Sequence, residues 1–275
     1  MSQPYALFDR QRVKRHRNRA AEYFAANDFL LREMSSRMAD RLPDIKRTFP
    51  SVLDLGAHNG LLADYLPEES GIELLVQADL SEEMIAAAPG LRVVADEEFL
   101  PFAAHSFDLV VSVGSLHWVN DLPGALAQIN RVVKPGGLFL AMLPGGETLK
   151  ELRQSLEQAE LHISGGMSPR ISPFVDVRDA GSLLQRAGFE MPVTDSEILT
   201  ISYDNPLKLL QDMRGMGESN ALLTSMKGFT RRPVLFSALE YYQKHFSDAD
   251  ARMTATFEIV TMTAWKPEAP SDAGR

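Results

Sequence analysis

The chain has 275 residues, with 28 Lys and Arg against 37 Asp and Glu and a formal net charge of −9. That length admits one large domain or two small ones, enough to bury a full core without covalent or metal staples. There is no cysteine, which excludes disulfide scaffolds, thiolate zinc sites, iron–sulfur ligation and a cysteine nucleophile, and the acidic total sets nucleic acid aside as the main partner.

The charge is uneven. Residues 1–20 hold six Lys and Arg (Arg10, Arg12, Lys14, Arg15, Arg17, Arg19) and one Asp, so the rest of the chain carries −14. Two readings fit this basic run: one solvated helix face, or a contact with an acidic protein or an anionic membrane surface. No N-terminal stretch has the apolar length of a secretory signal. Nowhere does the chain approach ~20 continuous apolar residues, so no transmembrane helix is expected. The expected location is cytoplasmic, at most peripheral at the inner membrane.

Arg12 to Met38 reads as helical, with Ala20, Ala21, Phe24, Leu30, Leu31 and Met34 on its apolar face. Residues 1–46 form an N-terminal basic helical region. A strand follows at Ser51–Gly56, then the start of a helix at Leu61–Leu66. A second strand spans Leu74–Leu80, and Ser81-Glu-Glu-Met opens a helix with acidic residues in its first turn. Strands at Arg92–Ala95 and Phe107–Val113 precede a helix at Pro123–Val133. Pro135-Gly-Gly is a turn, and Leu138–Leu143 is the fifth strand. Strand and helix alternating every ~20 residues imply a parallel, doubly wound α/β sheet. Past Pro144 the rhythm changes. Helices at Glu147–Leu161 and Val177–Ala187 flank a loop, and strand-like runs at Ile198–Tyr203 and Thr256–Ala264 enclose a helical insertion. Residues 205–250 read as a cap on a domain covering 47–266, and 267–275 as a disordered tail.

The chemistry starts at Asp54-Leu-Gly56-Ala-His-Asn-Gly60. Glycines after a strand let the main chain approach a ligand closely. A dinucleotide fingerprint fails here, because its second and third glycine positions are His58 and Leu61. Asp79, at the end of the second strand, can accept two hydrogen bonds from ribose hydroxyls. Asp96-Glu97 ends the third strand, where it can meet an adenine edge. These positions share the carboxyl ends of parallel strands, where open α/β sheets bind ligands. An adenosine ligand without pyrophosphate, such as S-adenosylmethionine (SAM), fits that set; a plain strand–helix turn is the alternative.

At this point the sequence resembles the class I SAM-dependent methyltransferases. Phe8-Asp-Arg10, Ala95–Phe102, Ser115-Leu-His-Trp-Val-Asn-Asp-Leu-Pro123, Gly145–Leu149, Ile171–Phe174 and Gly215-Met-Gly-Glu-Ser-Asn220 also resemble the mitochondrial complex I assembly factor 5 family and its bacterial relatives, from about residue 8 to 266. The resemblance implies a Rossmann-like class I methyltransferase fold, a mostly parallel seven-stranded sheet with a helical cap insertion and an antiparallel hairpin at one edge. It implies SAM as cofactor, with Asp54, Gly56, Gly60, Asp79, Leu80, Asp96, Glu97 and Ser112 as binding set, Asp54 bracing the glycine turn. It implies modification of a protein, by hydroxylation or methylation of an arginine on an NADH-quinone oxidoreductase subunit, in respiratory complex I assembly. A conventional methyltransferase acting on a small molecule or malonyl-carrier protein, or a non-catalytic assembly chaperone, are the other readings. The family's glycine loop is usually Gly-x-Gly-x-Gly, and here the middle position is His58; that side chain crowds the methionine part of SAM, forces a shifted backbone, or points to solvent.

His117 and Trp118, just after the fourth strand, are the catalytic candidates: a substrate wall or polarising pair, against simple packing under the sheet edge. None of the six histidines stands in His-x-Asp/Glu, and no metal site is expected. The Gly- and Ser-rich loops at 165–174 and 215–220 suit a gated cleft, with Arg170 and Glu218 as their charged residues of interest.

Overall fold

A computed structural model describes residues 6–225 and 230–268. Most of the tail expected at 267–275 lies outside the described residues. In chain order the strands are β1 (Ser51–Leu55), β2 (Leu74–Asp79), β3 (Leu91–Val94), β4 (Phe107–Val113), β5 (Val133–Pro144), β6 (Glu190–Tyr203) and β7 (Met253–Trp265). The helices are α1 (Arg10–Ala20), α2 (Phe29–Asp40), α3 (Glu82–Ile85), α4 (Leu122–Val132), α5 (Lys150–Ser164), α6 (Val177–Arg186), α7 (Pro206–Gly215) and α8 (Arg232–His245). They build one seven-stranded sheet in the order β3-β2-β1-β4-β5-β7-β6. The first five strands run parallel, and β7 is antiparallel to both β5 and β6. The expected sheet with an antiparallel edge is therefore present.

Period-two alternation puts a layer on each face. Along β4, Leu109, Val111 and Val113 enter one core with Leu31, Met34 and Met38 of α2, whereas Val110 enters the other with Leu126 and Ile129 of α4 and Leu184 of α6. Each fully buried Leu or Ile removes enough apolar area for about 1.5–3 kcal/mol. Local signals set the helix starts. Asp9 accepts from the Arg12 amide, Asp121 from Gly124, Asp176 from Arg178 and Asn205 from Leu207, each satisfying an orphan N–H.

The single helix expected over Arg12–Met38 is in fact two. After Ala20 the chain passes through a turn and a short 3-10 segment at Phe24–Ala26, with Tyr23 (φ −113°) and Asn27 (φ −129°) outside helical geometry. The break drops Phe24, fully buried, into the core. No helix among the described residues is long and apolar enough to cross a membrane. The insertion between β6 and β7 carries α7 and α8; α8 packs Val234 and Ala238 on Ala159 of α5, and its Tyr242 hydroxyl donates to the Thr254 carbonyl at 2.8 Å.

Candidate functional site

The carboxyl ends of β1, β2 and β4 meet over the glycine turn. Gly56 (φ +72°) and Gly60 (φ +82°) both need the left-handed region that glycine tolerates, and a Cβ on Gly56 would collide with Ser115. His58 is also left-handed, at φ +52°, which is uncommon for a side chain of that size. It does not point to solvent. Its ring is buried, stacks on Phe24 at 5.4 Å, and leaves both nitrogens unpaired. Burial, with the nearby Arg17 charge, lowers its pKa, so it sits there neutral.

Asp79, at the end of β2, is fully buried and its oxygens are already used. Oδ1 accepts from the Ser81 amide at 2.7 Å, and Oδ2 accepts from the His58 amide and from Arg17 Nη1, both at 3.1 Å. Glu97 is equally buried. It accepts from Arg17 Nη1 at 3.1 Å, from the Ser115 hydroxyl and from Arg10 Nη2. Burial alone would raise the Glu97 pKa, but Arg10 and Arg17 outweigh it and hold the carboxyl well below the usual range. Asp96 pairs with Arg10 at 2.6 Å and accepts from the Glu98 amide. Asp54 lies beneath the turn and has no cation beside it. Desolvation, with the Asp79 charge, pushes its pKa up to about 8, so at neutral pH it is mainly protonated. Ser112 is buried nearby with an unpaired hydroxyl, and Leu80 packs against the Phe8–Trp118 cluster.

The expected site residues are thus brought together, and the sequence reading missed what joins them. Arg17 and Arg10 do not lie on a solvated face: Arg17 is fully buried, and Arg10 is nearly covered. Only Arg15 and Arg19 of the basic run are exposed. The signal lay in spacing. Arg10, Val13, Arg17 and Ala20 recur at helical intervals and share one inward face, with two apolar residues among the charges.

Across the sheet's switch point, His117 and Trp118 converge on Glu218 of the 215–220 loop. Glu218 Oε2 accepts from Trp118 Nε1 at 2.9 Å and lies 2.7 Å from His117 Nε2. Its other oxygen, Oε1, is buried without a partner. Burial would raise this carboxyl's pKa, but His117 and Arg17 hold it below the ordinary value, so it is charged. Glu218 sits on the wall of a cavity of about 600 Å³ shared with Trp118, Leu149, Ile171, Phe174 and Arg170. That volume is typical of small-ligand clefts. Arg170 is held by Glu160 and the Thr230 hydroxyl. Among the described residues no group of three or more His, Asp or Glu is placed to hold a metal ion.

The polar groups at the glycine turn suit an adenosyl group, since the acceptors Asp79 and Glu97 stand where ribose and base would lie. The space does not: the Arg17 guanidinium lies among Asp79, Glu97 and Ser115 and takes the places that ribose and base would fill. In this conformation the group does not fit.

The methyltransferase domain family matches residues 53–141 of the chain. The chain is 43% identical over 267 residues to the human mitochondrial arginine-hydroxylase NDUFAF5, covering 94% of this chain and 77% of that protein. It is 34% identical over 277 residues to the malonyl-[acyl-carrier protein] O-methyltransferase of Methylovorus sp., covering 96% and 91%. The crystal structure of a methyltransferase-fold protein from Bacillus halodurans superposes with a TM-score of 0.58 at 18% identity, covering 86% of this chain and 99% of that one, a likeness of fold.

Proposed function

The chain belongs to the family of the NDUFAF5 arginine hydroxylases, enzymes of the SAM-dependent methyltransferase superfamily, and from that premise we propose that it hydroxylates an arginine side chain on an NADH-quinone oxidoreductase subunit during complex I assembly, one atom of dioxygen entering a bond to hydrogen while an external two-electron donor reduces the other to water. The observation that carries this reading is Glu218. Glu218 is a charged carboxylate with one buried, unpartnered oxygen, and it is the single acid on the wall of a cavity lined by Leu149, Leu152 and Ile171 and also by Arg12, Arg170 and Arg214; it offers a guanidinium its counter-charge beside room for an aliphatic stem. Its second oxygen is held by Trp118 and His117, which fix the carboxylate's direction. Phe174, 6.0 Å from the His117 ring, gives the guanidinium plane an aromatic neighbour. In this reading His117 Nε2 carries its proton toward Glu218, and the pair binds and orients the target. We further propose that SAM is the cofactor, bound over Gly56 and Gly60 against Asp79 and Glu97 once the crevice opens. The exposed Arg15 and Arg19 suit contact with the membrane surface that carries the target complex.

The test is deletion of the gene, with mass spectrometry of the oxidoreductase subunits. The expected result is one arginine lacking the mass of an oxygen atom and less assembled complex. Unchanged subunits together with a requirement for biotin would sink this reading in favour of methyl transfer to malonyl-carrier protein, the reading that the 34% relative favours.

A further inference from the structure

The crevice is closed by this chain's own arginine, and the closure is built rather than incidental. The Arg17 guanidinium donates through Nη1 to Asp79 and Glu97, both at 3.1 Å, and through Nη2 to the Ser115 hydroxyl at 2.9 Å. All four side chains are fully buried. Arg10, two helical turns earlier, covers the mouth, bonding Asp96, Glu97 and the Trp118 carbonyl. Burying a guanidinium is costly unless carboxylates meet it; here two do, both at Nη1, while Nε is left buried without a partner. The same carboxylates are the groups an adenosyl ligand would need, so both occupants cannot be present.

The arm that carries Arg17 is separable. At its far end α1 rests on a small satellite cluster of Phe8, Val13, Trp118, Ala221 and Leu222, outside the two large cores. Several of its polar ties run to the same segment: the Asp9 amide to the Ala221 carbonyl, Arg12 to the Leu222 carbonyl and Ser225, and His16 to the Ser219 carbonyl; toward its near end Asn18 accepts from the Ser81 hydroxyl at 2.6 Å and Ala20 enters the large core, and these contacts must also part for α1 to lift. Its near end is the non-helical break between Ala20 and Phe29, with backbone angles that can absorb a rotation.

We propose that the cage of Asp79, Glu97 and Ser115 is a guanidinium-binding site whose resting occupant is Arg17, and that an adenosyl ligand and the α1 arginine exclude one another there. The exclusion half rests on the SAM reading above; the guanidinium site stands on its own contacts. Because the 219–225 segment holds α1 and adjoins Glu218, lifting α1 also loosens the wall of the arginine cavity. Nucleoside entry and substrate access are then one movement.

The test uses the full chain and two readouts that need no turnover. Hydrogen exchange is followed on Arg10–Ala20 with and without SAM, and SAM binding is measured by calorimetry for the wild type and Arg17→Ala. Exclusion predicts at least tenfold faster exchange in α1 when SAM is bound, and at least tenfold tighter binding by Arg17→Ala. Methylguanidinium at millimolar concentration should raise the melting temperature of Arg17→Ala but not of the wild type, and SAM should cancel that gain. Should Arg17→Ala fold poorly, the wild-type exchange measurement decides the exclusion, and Arg17→Gln takes the place of Arg17→Ala in the methylguanidinium comparison. SAM binding with α1 equally or more protected overturns the exclusion and leaves SAM as cofactor. No SAM binding by either form overturns the exclusion and the cofactor reading together. Methylguanidinium acting alike on both forms overturns the guanidinium site.

Discussion

Two buried carboxylate groups stand on either side of the sheet's switch point, and they are completed differently. On the β1–β2 side, Asp79 and Glu97 are saturated by Arg17, Arg10, Ser115, Ser81 and the His58 amide. On the β4 side, Glu218 has its Oε2 engaged by His117 and Trp118 and its Oε1 free. A saturated buried charge stabilises a conformation, because every oxygen lost to a new partner must first give up an old one. A half-saturated one keeps an unmet demand that a ligand can satisfy. The contrast assigns holding to the first group and receiving to the second.

The strongest way to break the contrast is to remove a charge from the saturated group. Glu97→Gln leaves Arg10 and Arg17 short of a buried counter-charge, and the expected loss is about 3–5 kcal/mol by urea unfolding, the range for a broken buried pair. A pH series sharpens it. The Glu97 pKa is lower folded than unfolded, so its stabilisation is fully present above the unfolded value of about 4.3 and is lost as pH falls toward the folded one. The wild type should lose more stability below pH 4 than Glu97→Gln does. A variant as stable as the wild type would mean that the arginines are held by packing instead.

Glu218→Gln should behave in the opposite way. It keeps an acceptor for Trp118 and removes only the charge, so unfolding should shift by less than about 1 kcal/mol. Affinity for an arginine peptide should fall about tenfold or more, from loss of a charge-assisted bond worth about 1.5–3 kcal/mol. Equal losses of stability and affinity would put Glu218 with the structural group.

Much of this was legible in the sequence, and the limit is instructive. The alternating strands, the glycine turn, and the acidic ends of β2 and β3 follow from local pattern, since each strand carries its own burial signature. The antiparallel edge came from family resemblance. The helix break at Ala21–Asp28 was not legible, because neither glycine nor proline marks it; tertiary burial of Phe24 decides it. The spacing of Arg17 with Val13 and Ala20 marks an inward face, but the charges that Arg17 meets there were not legible. A lone arginine reads as solvated, and the carboxylates that reverse that reading lie 62 and 80 residues away. Long-range charge pairing leaves no periodic trace. Glu218 was visible only as a charged residue in a loop, its meaning set by His117 and Trp118 about 100 residues earlier.

Asp54 offers a smaller, directional test of how tightly the saturated group is closed. Its pKa is raised to about 8 by burial and by Asp79. An acid that is harder to ionise when folded destabilises the fold progressively as pH rises from the unfolded value of about 3.9 to the folded one. Asp54→Asn removes that penalty with little change of shape. The variant should match the wild type near pH 4 and exceed it by about 1 kcal/mol or more at pH 8, read from urea midpoints. A gap that does not widen with pH would mean that water reaches Asp54, and that the turn is looser than its void of about 10 Å³ implies.

The smallest effect is expected at His58, where two opposing terms meet. Its left-handed backbone costs about 1–2 kcal/mol that glycine would not incur. Its buried ring stacked on Phe24 returns a comparable amount through burial and aromatic contact. His58→Gly should therefore change unfolding free energy by less than about 1 kcal/mol, although it restores the glycine spacing that the family's loop usually has. A gain well above that would show that the histidine strains the turn. A loss well above it would make the Phe24 stack the element that fixes the helix break, and with it the angle at which α1 delivers Arg17 to the cage.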